Sequence, residues 1–326
     1  MEVILARGWG RFKTGFTELT AVMALALVLA PAFGVYPVFL MKALCFALFA
    51  CAFNLLVGFG GLLSFGHAMF LGGGAYICAQ TAKAWGWPPE AAILAGTLAA
   101  SLMGLAVGLL AIRRQGIYFS MTTLALAQMA YFIFLQSPFT HGEDGIQSVP
   151  RGLLFGLIDL DHPLAMYYFV VALFVLAFLA IHRIVHSPFG HVLVAIRDNE
   201  PRAISLGYDV NRYKLICFAL SSALAGLAGS VKAIVFQLAS LNDVHWTMSG
   251  EVVLMTLVGG MGTLFGPVVG AFVIVGMHTY LASLGQWVTF TVGLIFVVCV
   301  LAFRKGIIGE STRWLDVLGV KGPEGK

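Results

Sequence analysis

The chain has 326 residues, of which 60% are hydrophobic and only 10% charged, with a formal net charge of +4. Soluble domains run nearer ~25% charged and ~45–50% apolar, so this composition describes an integral membrane protein. At ~20 residues per crossing of ~30 Å of hydrocarbon, the apolar content sets a ceiling of roughly ten helical crossings and leaves no room for an attached ATPase, kinase or binding domain.

Apolar runs bounded by charges or by glycine and proline place crossings near 19–34, 37–58, 61–81, 89–112, 117–137, 163–182 and 213–238. The first follows Arg7, Arg11 and Lys13 in the manner of a signal peptide, but further spans come at once, so it reads as an uncleaved helix. The stretch 250–303 is broken by Gly259-Gly260-Met261-Gly262 and by Gly266-Pro267. Such clusters interrupt membrane helices where backbone lines a cavity or packs on protein. It divides into a short eighth crossing near 250–261, a ninth near 264–282 and a tenth near 287–303.

Ten crossings with both termini cytoplasmic put most of the basic residues inside. Only Lys42, Lys83, Arg151 and Lys232 of the 19 fall at outer ends and loops, whereas nine crossings would strand Arg304 and Lys305 outside. Residues 1–18 and 304–326 then form cytoplasmic tails around a transmembrane domain at 19–303. Trp85, Trp87, Trp246 and Trp287 fall near span ends, where the indole suits the interface. The small, dispersed charge reflects topology, not nucleic-acid binding. Cys45, Cys51, Cys78, Cys217 and Cys299 lie in apolar runs without CxxC pairing, so neither a metal site, a disulfide framework nor a cofactor is expected. No GxxxxGK[ST] phosphate loop is present, so nucleotide energy, if used, must come from another chain.

Four segments could carry function. The inner loop at 183–212 opens with the helix-start signal Ser187-Pro188, continues through Val192 to Arg197, and restarts at Glu200-Pro201 before Gly207. Two short amphipathic helices there could dock a cytoplasmic partner, or the loop could simply obey the positive-inside rule. The second segment runs from Gly58 through Gly60-Gly61-Leu62-Leu63-Ser64-Phe65-Gly66-His67 to Gly72-Gly73-Gly74. Its glycines allow close helix contact or an unwound stretch, and a comparable break at 259–270 in the second half points toward a pathway at a repeat interface. The third comprises ionisable groups. His67 reads as an interfacial residue, Glu251 as the opening of the eighth crossing, Lys42 and Lys232 as snorkelling residues, and His278 as facing a cavity or a neighbouring helix. The fourth is the outer loop with Thr140-His141-Gly142-Glu143-Asp144-Gly145, a solvated turn that could meet an extracytoplasmic partner.

Several of these stretches, in order and at natural spacing over roughly 37–309, resemble the M-type membrane permease of branched-chain amino acid ABC importers. They are Asn54-Leu55-Leu56-Val57-Gly58 running into Gly61 to His67, Arg113-Arg114-Gln115-Gly116-Ile117-Tyr118-Phe119 with Thr123-Leu124-Ala125, and Gly142-Glu143-Asp144-Gly145-Ile146. They continue with Pro188-Phe189-Gly190-His191, Arg197-Asp198-Asn199-Glu200, Leu206-Gly207, Tyr213-Lys214-Leu215, the segment 223–229, and Val258-Gly259-Gly260-Met261-Gly262-Thr263. The resemblance implies an all-α, type II ABC importer permease-like fold of about ten transmembrane helices. It also implies four kinds of partner: a second, H-type permease, two cytoplasmic ATP-binding subunits, an extracytoplasmic solute-binding protein and the lipid bilayer of a bacterial inner membrane.

It further implies that the segment 188–206 holds the helix that couples to the ATPase, with Pro188, Ala195, Ile196, Arg197, Glu200 and Ala203 as docking candidates. Asn54, Gly61, Ser64, His67, Gly259, Gly260 and Gly262 are the candidates for the translocation path. No catalytic residues are expected, because ATP hydrolysis would lie in a partner chain. Two features depart from the family pattern: Lys42, and the acidic pair Glu143-Asp144. Branched-chain or related hydrophobic amino acids are the expected cargo. Urea, short amides or aromatic acids are the alternatives within the family, and an ion-coupled secondary carrier is the alternative outside it.

Overall fold

The computed structural model describes residues 20, 22–34, 36–285, 287, 290, 291, 293, 294, 297 and 306–308. Residues 22–29 are helical and pass into a 3-10 turn at Ala30–Phe33. Among the described residues from 37 to 280, ten α-helices follow: α1 (Pro37–Asn54), α2 (Ala68–Ala84), α3 (Pro89–Ala111), α4 (Ile117–Gln136), α5 (Pro163–Val185), α6 (Pro188–Asp198), α7 (Glu200–Ser205), α8 (Val210–Phe236), α9 (Trp246–Gly259) and α10 (Gly266–Tyr280). Proline stands at the first turn of α1, α3, α5, α6, α7 and α10, where its missing N–H has no helical partner to lose.

Among the described residues, five helices are long and apolar enough to cross a bilayer: Pro37–Phe59, Pro89–Ala111, Ile117–Gln136, Pro163–Val185 and Val210–Phe236, with Gly266–Tyr280 a shorter apolar helix. The crossing expected at 61–81 differs, because regular helix begins only at Ala68, after an unwound segment. The helix expected as the eighth crossing starts earlier, at Trp246, so Glu251 lies inside it and not at its opening. The residues expected to form the tenth crossing and the two tails lie largely outside the described residues.

The helices are not equally enclosed. α1 with its continuation is 89% buried over its apolar window and forms a central pillar, whereas α3 and α4 are 28% and 22% buried. α3 turns Leu94, Leu98 and Leu102 outward at helical spacing, a stripe suited to lipid. Its opposite face packs on α2 and α8 through small residues. A methyl on Gly74 would lie 2.7 Å from the Gly226 Cα, one on Gly226 would strike the Ala100 Cβ, and one on Gly229 would strike the Leu71 carbonyl. Ser230 Oγ donates in this seam to Gly226 O at 2.8 Å and lies 3.2 Å from Gly74 O. Backbones that approach this closely gain dispersion contacts where no hydrophobic force acts between helices.

Two-residue strands depart from an all-helical reading. β1 (Ile146–Gln147) pairs antiparallel with β4 (Leu238–Ala239), and β2 (Leu153–Leu154) pairs with β3 (Ile158–Asp159) in a hairpin. They tie the α4–α5 connection to the C-terminal end of α8.

Candidate coupling and translocation site

Two breaks in helix geometry organise the site. α1 does not stop at Asn54 but loosens into a single π-helical turn, Leu55–Phe59, and the backbone then runs unwound through Gly61, whose φ of 69° is a left-handed conformation that glycine adopts without strain. The unwound backbone is satisfied by side chains from neighbouring helices, as a membrane interior requires. Phe65 N–H donates to Thr123 Oγ1 at 3.3 Å, Ser120 Oγ donates to Leu63 O at 2.7 Å, and Ala68 N–H donates to Ser249 Oγ at 2.9 Å. Ser64 is buried and its hydroxyl accepts from Gly66 N–H at 3.3 Å.

The second break separates α9 from α10. Gly260 and Gly262 have φ of 118° and 78°, and Thr263 Oγ1 donates to Gly260 O at 2.9 Å while accepting from Gly266 N–H at 3.1 Å. Gly259 and Gly270 let the two helices meet backbone to backbone, because a methyl on either would collide with a carbonyl of the other helix.

The breaks touch. Asn54, only 2% exposed, donates from Nδ2 to Thr263 O at 2.8 Å and accepts at Oδ1 from Gly262 N–H at 2.9 Å. One amide thus closes both halves of a backbone hydrogen-bond pair on a segment about two hundred residues away. Gly58 sits in the same contact: a methyl there would lie 2.7 Å from Gly262 N.

A third element reaches this point. α6 is capped by Ser187 Oγ, α7 by Asn199 Oδ1, and the kink between them is fixed by Asn199 in extended backbone. From α6, Arg197 extends its guanidinium to donate to Gly58 O, and pairs with Asp198 at 2.9 Å. Its stem lies over Gly61, whose added Cβ would fall 2.7 Å from Arg197 Cγ. Glu200 at the start of α7 pairs with the buried Lys214 of α8 at 2.8 Å and accepts from Gln115 Nε2 at 3.2 Å.

The candidate residues therefore divide. Arg197 and Glu200 bind elements of their own chain, Ile196 and Ala203 are buried against Val210, and Pro188 and Ala195 remain exposed. α7 and the turn that follows it present Ile204, Leu206 and Tyr208 outward, at 57%, 69% and 40% exposure. The exposure of Ile204 and Tyr208 leaves no mark in the sequence, because apolar residues in a short loop look like core. Of the path candidates, Asn54, Ser64, His67, Gly259 and Gly260 are enclosed by packing, Gly262 is half-buried and Gly61 is exposed. Gly61 borders a cavity of about 210 Å³ lined also by Leu63, Gly116, Phe119 and Ser120.

His67 is not interfacial, as its place at the start of α2 suggested. It is fully buried among the rings of Phe49, Phe53, Phe70 and Phe218, with Nε2 2.9 Å from Ser221 Oγ. Ser221 in turn donates to Ala52 O at 2.5 Å, so His67 Nε2–H is the donor to Ser221. The chain α2–α8–α1 is thereby pinned beside the break. Lys232 does not snorkel either: its ammonium is paired with Asp243 and lies 5.3 Å from the Phe46 ring centroid. A lysine in an apolar run signals nothing about such a partner, which reaches it only by chain reversal through β4. Glu143 and Asp144 are exposed in a 3-10 turn at Gly142–Asp144. No cluster of metal-ligating side chains occurs among the described residues.

The family model described as branched-chain amino acid transport system / permease component matches residues 36–303. The high-affinity branched-chain amino acid transport system permease protein LivM of Escherichia coli (strain K12) is 26% identical over 278 residues, 78% of this chain and 65% of the relative. Its counterpart from Salmonella typhimurium is 25% identical over the same shares. The autoinducer 2 import system permease protein LsrC of Klebsiella pneumoniae is 27% identical over 61% of this chain and 58% of the relative. The chain thus spans about two-thirds of the length of the curated relatives it matches. No solved structure matches it.

Proposed function

From a chain that belongs to the family of branched-chain amino acid transport permease components, and is therefore a multi-pass membrane protein of transport and not an enzyme, we infer a subunit of an ATP-driven importer. With a second permease it forms the path for branched-chain or related hydrophobic amino acids, two ATP-binding subunits attach at the α6–α7 face, and a solute-binding protein delivers cargo at the opposite end. The full arrangement has ten crossings, with both termini and α6–α7 on the cytoplasmic side of the inner membrane, in keeping with the Lys and Arg distribution.

The observation that carries this reading is the Arg197 contact. A helix pair exposed at one end of the bundle is bonded directly to the carbonyl of Gly58, inside the first break, which Asn54 joins to the second. A push on α6–α7 therefore arrives where the backbone lacks regular helical hydrogen bonds and is easiest to rearrange. The exposed Ile204, Leu206 and Tyr208 supply the apolar contact for the ATPase, and Arg197 supplies the transmission.

Reconstitution with the partner subunits tests both parts. Aspartate at Ile204 and Leu206 is expected to abolish co-purification with the ATP-binding chain. Arg197→Ala is expected to leave co-purification intact while uptake of labelled leucine falls and ATP hydrolysis continues. Uptake unchanged by Arg197→Ala removes the transmission role. Uptake that survives without ATP but collapses with the ion gradient removes the importer reading altogether. The cargo follows from competition: leucine uptake displaced by ribose would favour a sugar.

A further inference from the structure

The α4–α5 connection carries an apolar surface that neither break uses. β2 and β3 are joined through Phe155, Gly156 and Leu157, the first two at positive φ (50° and 71°), a tight turn closed by Leu157 N–H donating to Leu154 O at 3.0 Å. Leu154 and Leu160 point into the core, while Leu153, Phe155, Leu157 and Ile158 are 52%, 73%, 88% and 51% exposed. Leaving four such side chains on a rigid tip in water has no compensating contact within the chain.

The position of the hairpin decides what covers it. Arg151 Nη2 donates to Val235 O at 2.9 Å, fixing the strand to the C-terminal end of α8, and a methyl on Gly152 would lie 3.3 Å from Pro89 Cδ at the first residue of α3. Leu94, the first of the outward leucines of α3, is five residues further, about 7.5 Å along the axis at 1.5 Å per residue. The headgroup zone on each side of the hydrocarbon is about 5–7 Å deep. The hairpin therefore stands at headgroup level, continuous with the lipid-facing stripe of α3. Trp85 and Trp87, packed with ring centroids 5.5 Å apart and 60% and 44% exposed, lie in the α2–α3 link at the same end. Indoles at that level are the mark of the membrane interface. Asp159 and Asp161 are exposed at the base of the hairpin, the arrangement of an element with one wet edge and one apolar edge.

We propose that the Leu153–Asp159 hairpin, with Trp85 and Trp87, is a lipid-binding surface that seats in the headgroup and upper acyl region of the bilayer and anchors this end of the bundle. The test uses the full chain in vesicles of palmitoyl-oleoyl phosphatidylethanolamine and phosphatidylglycerol. Leu157→Cys carries a nitrobenzoxadiazole fluorophore, with Ser205→Cys on α7 as the aqueous control and identically treated parent chain correcting for the native cysteines. The label at position 157 is expected to emit at shorter wavelength than the control. It should lose most of its intensity to lipid bearing a nitroxide high on the acyl chain and little to aqueous iodide. Iodide quenching without nitroxide quenching would overturn the proposal and leave the patch to a water-borne protein partner. Shielding from both quenchers would overturn it in favour of a second protein copy covering the hairpin.

Discussion

Replacing Asn54 probes the joint between the two breaks. Asn54→Leu keeps the branched shape of the side chain but removes both the donor to Thr263 O and the acceptor from Gly262 N–H. A buried or half-buried backbone group deprived of its partner costs about 1–3 kcal/mol. Two such groups lie in a region with little water to replace the amide, and leucine recovers some apolar contact. The expected net loss is therefore about 2–4 kcal/mol. At about 2–4 °C per kcal/mol for a chain of a few hundred residues, the melting temperature in detergent should fall by roughly 5–15 °C. Asn54→Asp separates the two bonds: it keeps an acceptor for Gly262 N–H but sets an anionic oxygen against the Thr263 carbonyl, and burial of that charge should make it the worse variant. Thermal unfolding of the purified chain, followed by intrinsic fluorescence, measures both. Asn54→Leu and Asn54→Asp melting with the parent would show that the two breaks are held together by something other than this amide. The reverse order, with aspartate the milder, would show that the site is wet.

Other positions give sharper contrasts. Lys232→Met strands Asp243 as a buried carboxylate and should cost about 3–5 kcal/mol, while the double variant Lys232→Met, Asp243→Leu should recover most of it in the same melt; a double variant no better than the single refutes the pairing. Gly229→Leu should prevent α2 and α8 from meeting, because even a methyl there overlaps the Leu71 carbonyl; normal yield of folded protein would contradict the packing. Gly61→Val combines a disfavoured backbone conformation with overlap of the Arg197 stem, so insertion should persist while uptake fails, as judged by membrane yield and labelled leucine.

Much of this arrangement was legible from the chain itself. Glycine clusters announced both breaks, since no other residue supplies φ of 69° at position 61 and 118° at position 260 so cheaply. The α6–α7 pair was written in Ser187-Pro188 and Asn199-Glu200-Pro201, whose caps and prolines act locally. What was not legible is what depends on chain reversal. Asn54 looks like one more residue of an apolar helix until Gly262 is brought beside it. Arg197, by position a contact for a partner, turns inward because the Gly58 carbonyl lies within its reach. His67, one residue before α2 and expected at an interface, is instead walled in by rings from α1, α2 and α8.

The central pillar α1 carries one of the most apolar runs in the chain, yet 89% of that run is enclosed by protein. A helix so placed could tolerate hydroxyl or amide groups bonded to its neighbours, as Asn54 is, without ever exposing them to lipid in the finished fold. Its composition is better understood as a record of assembly. Before its neighbours close around it, this segment must partition into the bilayer on its own, and the free energy of that step depends on its bare side chains. Hydropathy at 37–59 therefore reports a transient environment. Polar substitutions there should reveal themselves first as failed insertion during synthesis, even where the mature structure could accommodate them.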